Sequence, residues 1–358
     1  MSQRVFSEVD DEIASTVPPT QVAPVVNELV FFINKVLVAG TIIGSIYALG
    51  AVGVTLVYSI LRFAHFAHGD MMTAGSFISF LVSLILATVG FNPPVLAVYL
   101  ALPIAMVATA MLAILLDRGF YKPLRDAGAK PVVLVMASIG VMLMMQGLIR
   151  VFAGTQSRDM YITGRKEVYQ IPLPLGPGRN LIITEPQLLL ILFTIISVIA
   201  LHLFLTRARL GKAMRAMSDN PMLAKVSGID TERVVWATWA IGGGLAALAG
   251  TMLALDVTLK PDLSFNILLP IFAAAIVGGI GQPYGAILGG FVVGFAETLA
   301  VFNWAILLRP FRETWIGALD LPTQIALVPT EYKLIVPFVI LVMILISRPT
   351  GIMKGRVL

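Results

Sequence analysis

The sequence contains no cysteine, and this absence excludes disulfide bridges and thiolate metal sites. Histidine is nearly as scarce, because His65, His68 and His202 are the only three, too few and too scattered for a histidine metal site. Charged residues make up 13% of the chain, whereas soluble domains carry about 25%. The net charge of +5 is modest, and no basic run with interleaved aromatics indicates nucleic-acid binding.

Motifs for nucleotide hydrolysis and for catalysis are also absent. No G-x4-G-K-S/T phosphate loop occurs, and the nearest fragment, Gly211-Lys212, lacks the upstream glycine. Neither a nucleophile elbow nor an HExxH motif is present, so a membrane-embedded enzyme has no catalytic constellation here. We therefore expect no catalytic residue, no metal site and no cofactor in this chain.

Apolar residues dominate instead, at 58% of the chain with a mean hydropathy of +0.91. A membrane-spanning helix needs about 20 apolar residues, and the period-two alternation of barrel strands is not seen. The sequence predicts an all-α, polytopic transmembrane helix bundle of eight or nine membrane segments, in which broken or re-entrant helices can occur. Segment 267–280 is short for a full span and contains Pro270, which favours a half-helix or a re-entrant segment. The segments lie at roughly 35–60, 71–90, 95–116, 132–152, 187–205, 234–255, 267–280, 284–306 and 334–347.

Lysine and arginine in the loops predict the orientation of this 35–347 membrane domain, because these residues accumulate on the cytoplasmic side. We expect loop 117–131, loop 206–233 and the C-terminal tail 348–358 to be cytoplasmic. Nine crossings then place the N-terminal tail outside, together with loops 153–186, 256–266 and 307–333. The inner cations are Arg118, Lys122, Arg125, Lys130, Arg207, Arg209, Lys212, Arg215, Lys225, Arg233, Arg348, Lys354 and Arg356, and the outer ones include Arg158, Arg165, Lys166, Arg309 and Arg312.

The N-terminal residues 1–34 do not resemble an export signal, which needs a basic start followed by an apolar core. They carry an acidic run at 8–12 and three prolines, Pro18, Pro19 and Pro24. The composition predicts a disordered tail or one that lies on the outer surface.

Ionisable residues crowd between the first two apolar segments, in a stretch with Arg62, His65, His68 and Asp70. Such residues are costly at membrane depth, so they are usually paired or line a wet cavity. One interpretation is a polar helix break stabilised by an Arg62–Asp70 pair. The other is that these four residues line or gate a pathway.

Two further residues are candidates for the same pathway. Gly281 lies in a glycine-rich turn between two apolar segments, and Glu297 lies deep within the segment that follows. A carboxylate at that depth is either hydrogen-bonded between helices or lines the pathway, and the sequence leaves both readings open.

The basic loop 206–233 contains a short helix with clear start and stop signals. Asn220 is a good N-cap and Pro221 a good first residue, while Gly228 is placed to end the helix. Its apolar residues Met222, Leu223 and Val226 form a strip too short to span a membrane. Such a helix needs either the membrane surface or a groove on another protein as a partner. We read it as a coupling helix.

Four stretches together resemble the LivH-type permeases of the branched-chain amino acid ABC transporters, over about residues 35–355. They are Gly44-Ser-Ile-Tyr-Ala-Leu49, Phe66-Ala-His-Gly-Asp70, Tyr121-Lys-Pro-Leu-Arg125, and Val277 to Ala286 with Ala296-Glu297. The second resembles the family signature N-F-A-H-G-D/E, with His65 where the family usually has asparagine. The coupling loop is also similar, through Ala224 and Gly228-Ile229.

The resemblance implies a permease subunit of an ABC importer in the bacterial inner membrane, which moves branched-chain or other small amino acids from periplasm to cytoplasm. It implies a second permease chain, as a heterodimer, two ATPase subunits that hold the ATP and magnesium, and a periplasmic binding protein. The implied ATPase-coupling residues are Arg215, Asn220, Pro221, Leu223, Ala224, Gly228 and Ile229. Permeases for urea or short-chain amides share the architecture, and a stand-alone secondary transporter or channel is the alternative from another class.

Overall fold

The apolar segments predicted from the sequence are all helical in the computed structural model. The structure describes residues 19–90, 94–161, 166–175, 179–311, 322 and 324–353. Its α-helices are α1 Pro19–Phe32, α2 Ala39–Leu61, α3 His68–Thr88, α4 Pro94–Leu116, α5 Lys122–Asp126, α6 Pro131–Ala153, α7 Glu185–Arg207, α8 Arg209–Asp219, α9 Pro221–Val226, α10 Thr231–Asp256, α11 Phe265–Gly278, α12 Pro283–Val301, α13 Ala305–Leu308 and α14 Ile335–Ser347. The π-helical turns Ile33–Val38 and Asp117–Tyr121 join α1 to α2 and α4 to α5, and Arg309–Phe311 and Thr330–Tyr332 are short 3-10 turns.

Within the described residues, seven helical stretches are long and apolar enough to cross a membrane. Helices α11 and α14 are also apolar but have only 14 and 13 residues. The predicted fold class, an all-α polytopic bundle, is confirmed, and the predicted count of eight or nine segments is approximate because these two helices are short. The chain is a multi-pass membrane protein.

The N-terminal region differs from the predicted tail over its second half. Residues 19–34 are helical and continue into the first span, which runs from Val25 to Leu61. A proline is tolerated in the first turn of a helix, where its missing N–H is not needed, so Pro19 is compatible with the start of this helix. Residues 1–18 lie outside the described part of the chain, as do Arg165, Arg312, Lys354 and Arg356.

Contacts between distant loops define the two ends of the bundle. At one end, Arg62 donates to the carbonyl of Ser218 at 2.5 Å, and Met353 N donates to the carbonyl of Gly278 at 3.0 Å. At the other end, the backbone of Arg158 pairs with that of Leu259. The first end collects the loops expected to be cytoplasmic and is called the inner end below. The second collects the loops expected outside and is called the outer end.

A two-stranded hairpin at the outer end is a feature that sequence patterns did not predict. Strands β1 Val168–Pro172 and β2 Asn180–Thr184 pair in antiparallel fashion. The side chain of Asn34 binds β2 on its other side, accepting from Ile182 N at 2.7 Å and donating to the Asn180 carbonyl at 3.1 Å. The hairpin therefore ties loop 153–186 to the start of the first span.

Glycines bring the central helices into backbone contact. A Cβ atom on Gly294 of α12 would lie 2.5 Å from the amide nitrogen of Gly44 in α2. On Gly243 of α10 it would lie 2.8 Å from the carbonyl oxygen of Thr109 in α4. Small residues at helix crossings allow such close approach in membrane bundles. Helices α2, α3, α4, α10 and α12 consequently form a tightly packed centre, on which the candidate site is built.

Candidate transport pathway and coupling surface

The polar stretch after α2 is a helix break that runs into the bundle. Arg62 ends α2 with φ 60°, and residues 62–67 are not helical. The segment then follows α6, because the backbone amide of Phe66 donates to Ser138 Oγ at 3.2 Å and Asp70 faces Gln146. At 1.5 Å per residue, Ser138 lies about 10 Å and Gln146 about 22 Å from the inner end of α6. Helix α3 therefore begins inside the bundle and not at its surface.

Within the break, His65 belongs to a buried aromatic cluster. Its Nε2 atom lies 3.0 Å from the hydroxyl of Tyr121, and its ring meets the ring of Trp239 edge-on at 4.8 Å. Tyr121 and Trp239 are stacked at 5.4 Å with an interplanar angle of 7°. All three side chains are fully buried. The cluster joins the break to the turn after α4 and to α10.

His68 occupies a notch between α2 and α10. A Cβ atom on Gly53 would lie 2.5 Å from Cε1 of the imidazole and 2.7 Å from its Nε2, so only glycine leaves room for the ring. Neither ring nitrogen has a hydrogen-bond partner among the described residues. Gly53 lies about 12 Å from the inner end of α2. His68 is thus a fully buried ionisable group at membrane depth, and it remains a candidate for a pathway or gating position.

The start of α3 also contacts the start of the short helix α11. The amide of Ser264 donates to Thr73 Oγ1 at 3.3 Å, and a Cβ atom on Gly69 would lie 3.2 Å from the Ser264 carbonyl. Two helices that begin inside the bundle therefore meet here. Non-helical backbone at membrane depth is tolerated only where protein or a wet cavity surrounds it.

The predicted Arg62–Asp70 pair is wrong. The left-handed turn at Arg62 directs its side chain to the Ser218 carbonyl at the inner end. Asp70 lies deeper and faces Gln146 and Arg150 of α6. The rising segment 63–69 separates the two charges, so each lies beside a different element.

Glu297 has interhelical partners, which confirms the first of the two readings that the sequence left open, and it also borders a cavity. Tyr47 of α2 donates its hydroxyl proton to Glu297 Oε2 at 2.7 Å, and Lys333 Nζ lies 3.6 Å from Oε1. The carboxylate is 3% exposed and borders an outer-end cavity of about 360 Å³.

The predicted pathway residues therefore occupy three places. Arg62, His65, His68 and Asp70 follow one another along the break, whereas Glu297 lies at the outer end. Gly281 lies at the inner end, with φ 83°, and lines a cavity of about 140 Å³ together with Arg215.

The short helix in loop 206–233 begins and ends as the sequence predicts. Asn220 Oδ1 accepts from the amide of Leu223 at 3.0 Å and so caps α9, whose first residue is Pro221. Gly228 has φ 79°, and Ile229 N donates to the Ala224 carbonyl at 3.1 Å, which ends the helix.

The apolar strip of α9 faces away from the bundle. Met222, Leu223 and Val226 are 75%, 63% and 84% exposed, whereas Ala224 is 3% exposed. Ala224 therefore packs α9 against the rest of the chain and cannot itself touch a partner. Arg215, on the preceding helix α8, is exposed.

Side-chain contacts join the start of α10, next to α9, to the turn after α4 and to the start of α5. Lys122 forms an ion pair with Glu232, and the Arg118 guanidinium lies 4.5 Å from the centre of the Trp236 ring. Tyr121 of the same turn stacks on Trp239 one helical turn further along α10. A series of side-chain contacts thus runs from the α9–α10 corner to the ring against which His65 packs.

Four partner residues were missed by sequence reasoning. Tyr47 and Tyr121 lie in stretches that resemble the family, but nothing in the sequence indicates which residues they contact. Trp239 and Lys333 have no local signal that separates them from other aromatic or basic residues. Lys333 is 36 positions from Glu297, and no period in the sequence links the two.

A membrane helix bundle with helices broken at its centre is an architecture typical of transport proteins. A family model described as "Branched-chain amino acid transport system / permease component" matches residues 36–345. The permease protein LivH of the high-affinity branched-chain amino acid transport system of Escherichia coli (strain K12) is 31% identical over 320 residues, with 88% of this chain and 94% of LivH covered.

Two further relatives extend this likeness. BraD of Pseudomonas aeruginosa, a permease protein of a system with the same description, is 29% identical, with 89% of this chain and 95% of BraD covered. A probable LivH of Methanocaldococcus jannaschii is 30% identical, with coverage of 76% and 82%. The chain belongs to the family of branched-chain amino acid transport permease components, and the resemblance that the sequence motifs indicated is confirmed.

Proposed function

We propose that this chain is the membrane-spanning permease subunit of an ABC importer in a bacterial inner membrane. Its substrate is a branched-chain or other small amino acid, in keeping with the names of its relatives. The observation that carries the coupled, ATP-driven part of the proposal is α9, a capped helix at the basic inner end whose apolar strip is exposed.

Exposed apolar residues on a short, fixed helix favour a protein groove as the partner. We assign that groove to an ATP-binding subunit. That subunit binds ATP and magnesium and hydrolyses the ATP, because this chain has no phosphate loop. A second permease chain and a periplasmic binding protein complete the machine.

We infer that alternating access uses the contacts that join α9 to the break. Closure of the ATPase subunits moves α9 and the base of α10, and the Tyr121–Trp239 stack transmits this movement to His65. The break at 62–67 and the start of α11 repack, because irregular backbone yields more readily than a continuous helix. The pathway then opens to the inner end.

Affinity purification of the full-length chain from native membranes in mild detergent tests this proposal. We expect mass spectrometry to identify a P-loop ATPase and a second permease in the same preparation, and uptake in proteoliposomes to require ATP. Recovery of this chain alone, active in uptake without ATP, would contradict the proposal and favour a stand-alone transporter.

A further inference from the structure

The outer-end cavity beside Glu297 combines both signs of charge with apolar walls. Glu297 supplies a carboxylate, while Lys333 and Lys35 supply ammonium groups. The apolar wall consists of Phe31, Ile43, Val301, Phe302 and Ile306. Small-molecule sites are typically apolar hollows of about 300–1,000 Å³ with a few placed polar groups. At about 360 Å³ the cavity matches the small end of that range.

The Glu297 carboxylate and the two lysine ammonium groups are arranged so that a ligand in the cavity can bind to charges of both signs. Glu297 is 3% exposed and is held by the Tyr47 hydroxyl, so its position is fixed. Lys333 Nζ lies 3.6 Å from the carboxylate, beyond hydrogen-bond distance. Lys35 is exposed, and its ammonium lies 6.0 Å from the centre of the Phe31 ring. Among the described residues, Lys35 forms no ion pair with a carboxylate.

We propose that this cavity binds the zwitterionic head of a free α-amino acid with an aliphatic side chain, on its way into the pathway. Glu297 binds the ammonium group, Lys35 and Lys333 bind the carboxylate, and the side chain lies against Phe302 and Val301. The assignment rests on the proposed function, since it names a holding site for that substrate class within the permease itself.

The presence of both a carboxylate and ammonium groups in the cavity gives a ligand criterion. A zwitterion satisfies the carboxylate and both lysines together, whereas an amine leaves the lysines unpaired and a simple acid leaves Glu297 paired with Lys333 alone. Charge-assisted hydrogen bonds are the strong ones, so loss of either charge on the ligand weakens binding by about 10-fold or more.

Equilibrium binding of radiolabelled L-leucine to the full-length chain in phosphatidylcholine nanodiscs tests the site. We expect saturable binding, with 4-methylpentanoate and 3-methylbutylamine each competing at least about 10-fold less well than leucine. Glu297→Gln, which keeps shape and a hydrogen-bond acceptor, should raise the Kd about 10-fold. Lys35→Gln, at an exposed position where folding is not at risk, should raise it about 3-fold.

Matched controls are available at the same end of the bundle. Glu331→Gln and Lys260→Gln remove one charge of each sign from exposed positions that do not line the cavity, and both should leave the Kd unchanged. The proposal would be overturned if leucine bound with the same Kd to the wild type, to Glu297→Gln and to Lys35→Gln, or if it did not bind to the wild type at all.

Two further measurements distinguish an amino-acid site from a lipid site and from the coupled-importer function. Phosphatidylethanolamine carries the same pair of charges, so loss of leucine binding in nanodiscs that contain it would assign the cavity to a lipid headgroup and overturn the amino-acid site. Each preparation from native membranes is also scored for the ATPase chain. Absence of the ATPase with intact leucine binding overturns the coupled-importer function but leaves the site standing, and the reverse result overturns only the site.

Discussion

Replacement of Val226 by glutamate should lower ATP-linked uptake by at least about 10-fold without affecting membrane insertion. Val226 is 84% exposed at the inner end, so a carboxylate there costs the isolated chain little. Once α9 docks into an apolar groove, the same carboxylate is buried without a partner at a cost of about 2 kcal/mol or more, and about 1.4 kcal/mol already amounts to a factor of ten. Uptake into proteoliposomes that contain ATP, with co-purification of the ATPase, measures the effect.

The control for this prediction uses the same position. Val226→Leu keeps the apolar contact and should retain both uptake and the ATPase. Unimpaired uptake by Val226→Glu with a normal amount of ATPase bound would show that α9 lies on the membrane surface or in solvent and is not the docking helix.

Replacement of Gly294 by valine should prevent the native packing of α2 against α12. Its Cβ atom would lie 2.5 Å from the amide nitrogen of Gly44 and 2.6 Å from its Cα, and backbone atoms cannot rotate away as a side chain can. Overpacking typically costs about 1–3 kcal/mol, and a clash with backbone belongs at or above the upper limit. We expect a large loss of folded, monodisperse protein in gel filtration and a lower unfolding midpoint for what remains.

Gly147 provides the matched control, because it is a glycine within membrane helix α6 whose Cβ would meet nothing within 4 Å in this chain. Gly147→Val introduces the same side chain into the same class of helix and should leave the folded yield near that of wild type. If both variants behave alike, the loss reflects valine in a membrane helix and not the α2–α12 contact.

The fold was predictable wherever the signal is local. Long apolar runs predict helices because backbone polar groups in hydrocarbon must be satisfied within the segment. The Asn220 cap and the Gly228 stop predict α9 for the same reason, since each acts through atoms a few residues away. The short length of α11 was also predictable from Pro270 and from the brief apolar run.

The candidate site was predictable in composition but not in arrangement. The charges after α2 identify an unusual segment, yet the residues beside them, Ser218, Gln146 and Tyr121, come from three other elements, and only the packed bundle brings them there. The predicted Arg62–Asp70 pair is wrong because proximity in sequence does not ensure proximity in space. The outer hairpin was missed since two five-residue strands leave little signal within a polar loop.

The proposed coupling depends most on α9 as the contact to an ATP-binding chain, and site-specific photocrosslinking in native membranes tests this directly. A photoreactive side chain in place of Val226 should form an adduct with a P-loop ATPase, whereas the same group in place of Leu327, which is 74% exposed at the outer end, should not. An adduct with lipid alone at position 226, in membranes where the chain still transports its substrate, would contradict this coupling.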